Sequence, residues 1–199
     1  MSDVLILIPA AGASSRMRGR DKLMELVDGE PLLRRQVRRA LATGTDVVVT
    51  VSREFPQRAE VLKQIASPSL TVLDGIDGRE GLAVSLREAA RVAKNAAGLM
   101  VLLADMPEIT RADIETMLNA FRAEPDAVHR ATDRDGTPGH PVVFPERLFP
   151  KLAQITGDRG ARDVLREETV RMTPLPARHA VTDLDTPEDW AAWRAARDG

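Results

Sequence analysis

The stretch Ile6-Leu-Ile-Pro-Ala-Ala-Gly-Ala-Ser-Ser-Arg-Met-Arg-Gly-Arg-Asp-Lys-Leu23 sets the terms for the rest of the chain. It continues an apolar run, Val4 to Ile8, long enough for one buried strand. It then breaks into small residues, Ala10 to Ser15, which let the backbone come close to a ligand and point N–H groups at an anion. Arg16, Arg18, Arg20 and Lys22 follow at close spacing. Strand, small-residue loop and cationic arm outline a triphosphate cradle; an ordinary surface loop with solvated arginines would produce the same string. Neither G-x-x-x-x-G-K-[ST] nor G-x-G-x-x-G is present, which argues against a P-loop and against a dinucleotide site.

Composition narrows the field. The 199 residues suit one domain, spanning residues 1–199, with a single sizeable core. A formal net charge of −2 gives no electrostatic reason to expect nucleic acid as a partner. Aromatic residues make up only 3%, which argues against base-stacking platforms. The absence of Cys excludes disulfides, thiolate zinc sites and a cysteine nucleophile. No apolar run approaches the roughly 20 residues of a membrane span. Met1-Ser-Asp leads straight into the first apolar run, leaving no room for a signal peptide, and the expected location is the cytoplasm.

Outward from the opening stretch, apolar runs and helical stripes alternate. Pro31 starts a helix with Leu32, Leu33, Val37, Ala40 and Leu41 on one side, and Thr43-Gly44 ends it. Asp46–Val51 is a β-branched strand, a helix follows from Pro56 to about Ile65-Ala66, and Leu70–Leu73 is a third strand. A Gly-rich loop over 74–81 opens an Ala-rich helix. Leu99–Ala104 is the most apolar strand and ends at Asp105-Met-Pro107. Thr110 and Asp113 have capping-box spacing. This alternation predicts a mostly parallel α/β sheet covered by helices on both faces, with ligands at the carboxyl ends of the strands. The opening loop and Asp105 would then share one cleft. After residue 125 the pattern changes to short strands, Asp126–Thr132 and Pro141–Phe144, expected as a β-rich excursion covering one side of the cleft. A helix starting at Asp158, strands at Val170–Thr173 and Ala180–Leu184, and a last helix opened by Thr186-Pro187 complete the reading.

Several of these segments resemble one family. Ala10-Ala-Gly-Ala-Ser-Ser-Arg-Met17, Asp21-Lys-Leu23 and Gly29-Glu-Pro-Leu-Leu33 are similar to the N-terminal signature of nucleotidyltransferases of the MobA-like type, which serve molybdenum-cofactor synthesis; the cytidylyltransferase group is the nearest match. The resemblance implies a three-layer, Rossmann-like nucleotidyltransferase fold related to GT-A folds. Leu103-Ala-Asp-Met-Pro107 resembles L-x-D-M-P, which assigns Asp105 to a Mg2+ near the α-phosphate. Asp183-Leu-Asp-Thr-Pro-Glu-Asp189 resembles D-x-D-T-P-E-D, which makes Asp185 the second metal ligand, with Mn2+ as a substitute metal. Two carboxylates suffice for Mg2+, which completes its shell with phosphate oxygens and water.

On the same basis Lys22 and Arg16 neutralise the triphosphate and, with Asp105, form the catalytic set. Ala10, Ala11, Gly12, Gly81 and Ser85 join Lys22 as nucleotide contacts. Gly139-His-Pro-Val-Val-Phe144 and Gly157-Asp-Arg-Gly-Ala-Arg162 resemble the cytidylyltransferase group and place His140, Asp158 and Arg162 on the acceptor side. Ala11 stands where guanylyl relatives carry Gly, and its methyl could exclude the larger purine, so CTP is the favoured donor. Molybdopterin or its molybdenum form is the implied acceptor, with a transient contact to a molybdoenzyme or its chaperone. Other expectations compatible with these motifs are a polyol or sugar phosphate acceptor such as methylerythritol phosphate, GTP as donor, a glycosyltransferase using Asp183-x-Asp185, and a nucleotide-binding module without turnover. His129 and His179 match no motif and are read as structural.

Overall fold

The computed structural model describes residues 3–93, 95–157 and 160–198. The opening apolar run forms β1 (Val4–Ala10), an inner strand of the sheet flanked on both sides by parallel partners. Next come a two-residue hairpin, β2 (Leu26–Val27) and β3 (Glu30–Pro31), then α1 (Leu32–Leu41), β4 (Asp46–Val51), α2 (Pro56–Lys63) and β5 (Leu70–Leu73). The Ala-rich helix is α3 (Leu82–Val92), followed by β6 (Gly98–Val101) and α4 (Arg111–Ala123). The Thr110–Asp113 capping box forms as expected, each side chain bonding the other's backbone N–H. Beyond it lie β7 (Val128–Thr132), β8 (Pro138–Pro145), α5 (Phe149–Leu152), α6 (Gly160–Arg166), β9 (Val170–Pro174) and α7 (Pro187–Asp198).

Among the described residues seven strands form one sheet in the order β5-β4-β1-β6-β8-β7-β9. The β4–β5, β1–β4, β1–β6 and β7–β9 pairs are parallel, and β8 runs against both its neighbours. The strands after residue 125 extend the main sheet, and β8 and β9 line one side of the cleft as expected. The Ala180–Leu184 strand is absent: this segment is a turn followed by irregular chain. Its backbone is tied by His140 N–H to Ala180 O (2.9 Å) and by Leu184 N–H to Asp105 O (3.0 Å).

Two cores flank the sheet. One joins Ile6 and Ile8 to Leu33 and Val37 of α1 and Ile114 and Phe121 of α4. The other joins Leu7, Val101 and Phe144 to Ala83, Leu86 and Ala90 of α3. A third, smaller cluster contains Met17, Val27, Leu32, Leu184 and Trp190. It pins the opening loop, through Met17, to the segment carrying Asp185 and to the last helix. The chain runs outward from β1 through β4 to β5, then crosses back to place β6 on β1's other side. This reversal opens a crevice at the strand carboxyl ends, where open α/β sheets take their ligands. The loops after β1 and β6 both leave from it.

Candidate active site

Three segments meet at the crevice. Lys22 opens a short 3-10 turn whose N-cap is Asp21; the Asp21 carboxylate accepts from the Leu23 N–H at 3.0 Å. Asp105 follows β6. Its loop is braced from α1 by Gln36, whose amide donates to the Met106 carbonyl, and by Arg39, which donates to the Pro107 carbonyl at 2.9 Å. Asp185 precedes α7. There Thr186 caps the helix: its Oγ1 accepts from the Asp189 N–H at 3.1 Å, while the Asp189 carboxylate accepts from the N–H groups of Asp185 (3.2 Å) and Thr186 (2.8 Å). Capping thus leaves the Asp185 carboxylate free for other partners.

The Lys22 ammonium donates to Asp105 Oδ2 and, at 2.6 Å, to Asp185 Oδ1. Arg16 reaches the other Asp185 oxygen at 2.7 Å. Burial disfavours the charged amine, but the Coulombic pull of Asp105 and the bonds to both carboxylates outweigh it and hold the Lys22 pKa above its ordinary value. Asp183 is pushed up, first by burial and then by the charges of Asp105 and Asp185. The site therefore concentrates carboxylate charge around one point that a cation fills.

These groups line a cleft of about 1280 Å³ that runs from Arg16 and Lys22 across β6 and β8 to α6. His140 lines its far side with Arg130 and Arg162. Burial lowers the His140 pKa to about 4, although the Val101 backbone and Asp105 favour its proton. The imidazole is thus neutral at pH 7, and its Nδ1 is buried with no hydrogen-bond partner among the described residues. Arg130 donates to the Gly139 carbonyl at 3.1 Å. Asp158 lies outside the described residues.

The expected nucleotide contacts divide. Ala10 and Ala11 have buried side chains, and Gly12 is exposed, with open space where a Cβ would stand. Gly81 opens α3 at φ 65°, a conformation that favours glycine. Ser85 does not reach the cleft: it is 1% exposed and its Oγ accepts from Thr50 Oγ1 at 2.8 Å, so it serves α3–β4 packing instead of a nucleotide. Gly78 lies directly against the opening loop: a Cβ there would stand 2.0 Å from the Ala11 carbonyl oxygen. Sequence reasoning also missed Arg58, which is wholly buried beneath the loop and ion-paired with Asp21 at 2.8 Å. The signal was present: Arg58 shares the apolar face of α2 with Val61 and Leu62, where a charge needs an internal partner.

Residues 6–172 match the family described as the MobA-like NTP transferase domain. The chain belongs to that family. Among MobA-like relatives, a molybdenum cofactor guanylyltransferase of Pseudomonas putida (strain KT2440) is 31% identical over 83% of this chain and 84% of its own. The purine catabolism protein PucB of Bacillus subtilis (strain 168) is 29% identical over 98% of both chains. Of solved structures, Rv0371c of Mycobacterium tuberculosis H37Rv superposes with a TM-score of 0.79 at 25% identity, over 96% of this chain and 97% of that one; the same protein in complex with manganese gives 0.72 at 23%, with the same coverage. CMP:2-keto-3-deoxy-manno-octonic acid synthetase in complex with CTP gives 0.78 at 17%, over 98% of each chain, a likeness of fold alone. The MobA-like assignment agrees with the resemblance carried by the opening loop and the L-A-D-M-P segment; the D-L-D-T-P-E-D segment lies beyond the matched residues.

Proposed function

We propose that this chain transfers CMP from CTP to the terminal phosphate of molybdopterin or its molybdenum form and releases pyrophosphate. The observation that carries the reading is the convergence of Asp105 and Asp185 on the Lys22 ammonium, beneath a small-residue loop and beside a cleft large enough for two substrates. The two carboxylates supply hard oxygen donors aimed at one point, which suits Mg2+ or Mn2+. Among the described residues no group of three or more His, Cys, Asp or Glu side chains is placed to hold a metal, so the rest of the cation's shell would come from phosphate oxygens and water. The manganese complex of the mycobacterial neighbour supports a divalent cation. When bound, that cation supplies positive charge where negative charge builds at the α-phosphate.

The remaining chemistry falls to side chains. An acceptor phosphate oxygen forms a bond to the α-phosphorus, and the bond from that phosphorus to the α,β-bridging oxygen breaks. The electron pair leaves with pyrophosphate. Lys22 and Arg16 compensate charge on the bridging oxygen and departing group, which favours the transition state over the ground state. No general base is required, because a phosphate monoester is already an anion at neutral pH. On the acceptor side, the exposed guanidinium of Arg162 is available to an anionic substrate, with the neutral His140 ring lining the same wall of the cleft.

CTP is favoured as donor by the resemblance of Ala10-Ala11-Gly12 to the cytidylyltransferase pattern, in which a methyl at Ala11 would disfavour the larger purine. The name of the Pseudomonas putida relative favours a second reading with GTP. Incubation with Mg2+, molybdopterin and either α-labelled CTP or α-labelled GTP separates them. Label transferred from CTP alone supports the first reading; transfer from GTP alone moves the base and keeps the site. No transfer to molybdopterin from either, with transfer to a polyol or sugar phosphate, moves the acceptor.

A further inference from the structure

Arg58 uses every N–H of its guanidinium, and every bond goes to the opening loop. Nε donates to Asp21 Oδ2 at 2.8 Å. Nη1 donates to the carbonyls of Ala10 and Gly12, both at 2.7 Å. Nη2 donates to Ser14 Oγ at 2.9 Å and to Asp21 Oδ1 at 2.8 Å. Phe55 packs 4.1 Å from the guanidinium carbon and closes one face. These acceptors span the loop from the end of β1 to the residue before Lys22. Between them Ser14 sits at φ 49°, a backbone conformation that residues with a Cβ rarely adopt and hold only when their surroundings impose it.

The bonding has a directional consequence. In a trans peptide the carbonyl and the next residue's N–H point opposite ways. Drawing the Gly12 carbonyl inward to Arg58 therefore turns the Ala13 N–H outward, on a part of the loop where Gly12 and Ala13 are both exposed. Asp21 meanwhile accepts from the Leu23 N–H, so the same ion pair fixes the turn that begins with Lys22. We infer that Arg58, clamped to Asp21, is a positioning residue for nucleotide: it aims the loop's outward N–H groups and sets the start of the Lys22 turn. The inference rests on the nucleotide reading above.

Two readouts test it on the full chain. Trypsin can cut after Arg16 and Arg18, whose side chains are 66% and 74% exposed, but only when the loop backbone loosens. In R58M, cleavage there is expected to speed up at least tenfold while sites elsewhere keep wild-type rates. Affinity for CTP or GTP with Mg2+ should fall at least tenfold, with KM rising more than kcat falls. R58K keeps the charge without the planar fork and should recover part of both losses. If R58M does not accumulate as folded protein, D21N carries the same test. Wild-type loop protection and nucleotide affinity in the variant would overturn the inference, as would faster cleavage spread evenly along the chain. If the wild type binds none of CTP, GTP, ATP and UTP, the nucleotide reading falls, and loop protection alone then decides whether the pair orders the loop.

Discussion

Lys22 stands between Asp105 and Asp185, with its ammonium bonded to Oδ2 of the first and, at 2.6 Å, to Oδ1 of the second. The two aspartates lie 80 residues apart in the sequence (185 − 105), yet they address the same cation. An ammonium there offsets the carboxylate charge that would otherwise be left uncompensated in a partly buried cleft.

Replacing Lys22 by Met therefore has two expected effects of opposite sign. Turnover falls by about 10³-fold, roughly 4 kcal/mol, the scale of losing one preorganised electrostatic partner. Binding of Mn2+ in the absence of nucleotide becomes several-fold tighter, because no ammonium competes for Asp105 and Asp185. Titration of Mn2+ followed by electron paramagnetic resonance checks the second effect independently of activity; weaker Mn2+ binding in the variant would contradict it.

Gly78 lies against the opening loop, and a Cβ on it would approach the Ala11 carbonyl oxygen to 2.0 Å. That atom is backbone and cannot swing aside, so Gly78→Ala must displace the loop. A stability loss of about 1–3 kcal/mol is expected, as for overpacking elsewhere, together with a raised KM for nucleotide. Denaturant titration and initial-rate kinetics check both.

Ala11→Gly removes the methyl proposed to select against purines. The expected result is a relative gain for GTP over CTP of about tenfold, the scale of one methylene-sized contact. The ratio of kcat/KM for the two nucleotides is the measurement, and an unchanged ratio would remove Ala11 from the account of base choice.

His140 gives the chain an acid-sensitive component. Its folded-state pKa is about 4, below the ordinary histidine value of 6.5, because burial disfavours the imidazolium. As pH falls below 6.5 the unfolded chain takes up this proton and the folded chain does not, so stability declines until the folded form also protonates near pH 4. The full effect is up to about 3 kcal/mol, taking about 1.4 kcal/mol per pH unit. Stability measured between pH 7 and pH 4 should fall less steeply in His140→Gln than in the wild type.

Much of the fold was legible because it is written in local patterns. Runs such as Val4–Ile8 and Asp46–Val51 have the length and, in the second, the β-branched composition of buried strands, and Thr110 with Asp113 announces a helix start. The Asp28-Gly29 turn between β2 and β3 also carried a signal, since both residues have positive φ and D-G favours a two-residue hairpin. The place of β7, β8 and β9 in the main sheet was not legible, because strand order depends on partners far away in sequence. Ala180–Leu184 has strand-like composition, yet its partners are single bonds to His140 and Asp105, not a ladder. The polar side of the site followed the same division. Lys22, Asp105 and Asp185 were readable from motifs and meet in space, whereas Gln36, Arg39 and Arg58 act from neighbouring helices and are recognised only once those helices are packed.

The most direct test of the central claim is pyrophosphate release with Mg2+ and molybdopterin, run with CTP, GTP, ATP and UTP for the wild type and Asp105→Asn. Acceptor-dependent release that is greatest with CTP and falls at least 100-fold in the variant is the expected result. Equal release by the two proteins would contradict the role given to Asp105. Tight nucleotide binding without release for any acceptor would contradict transfer itself.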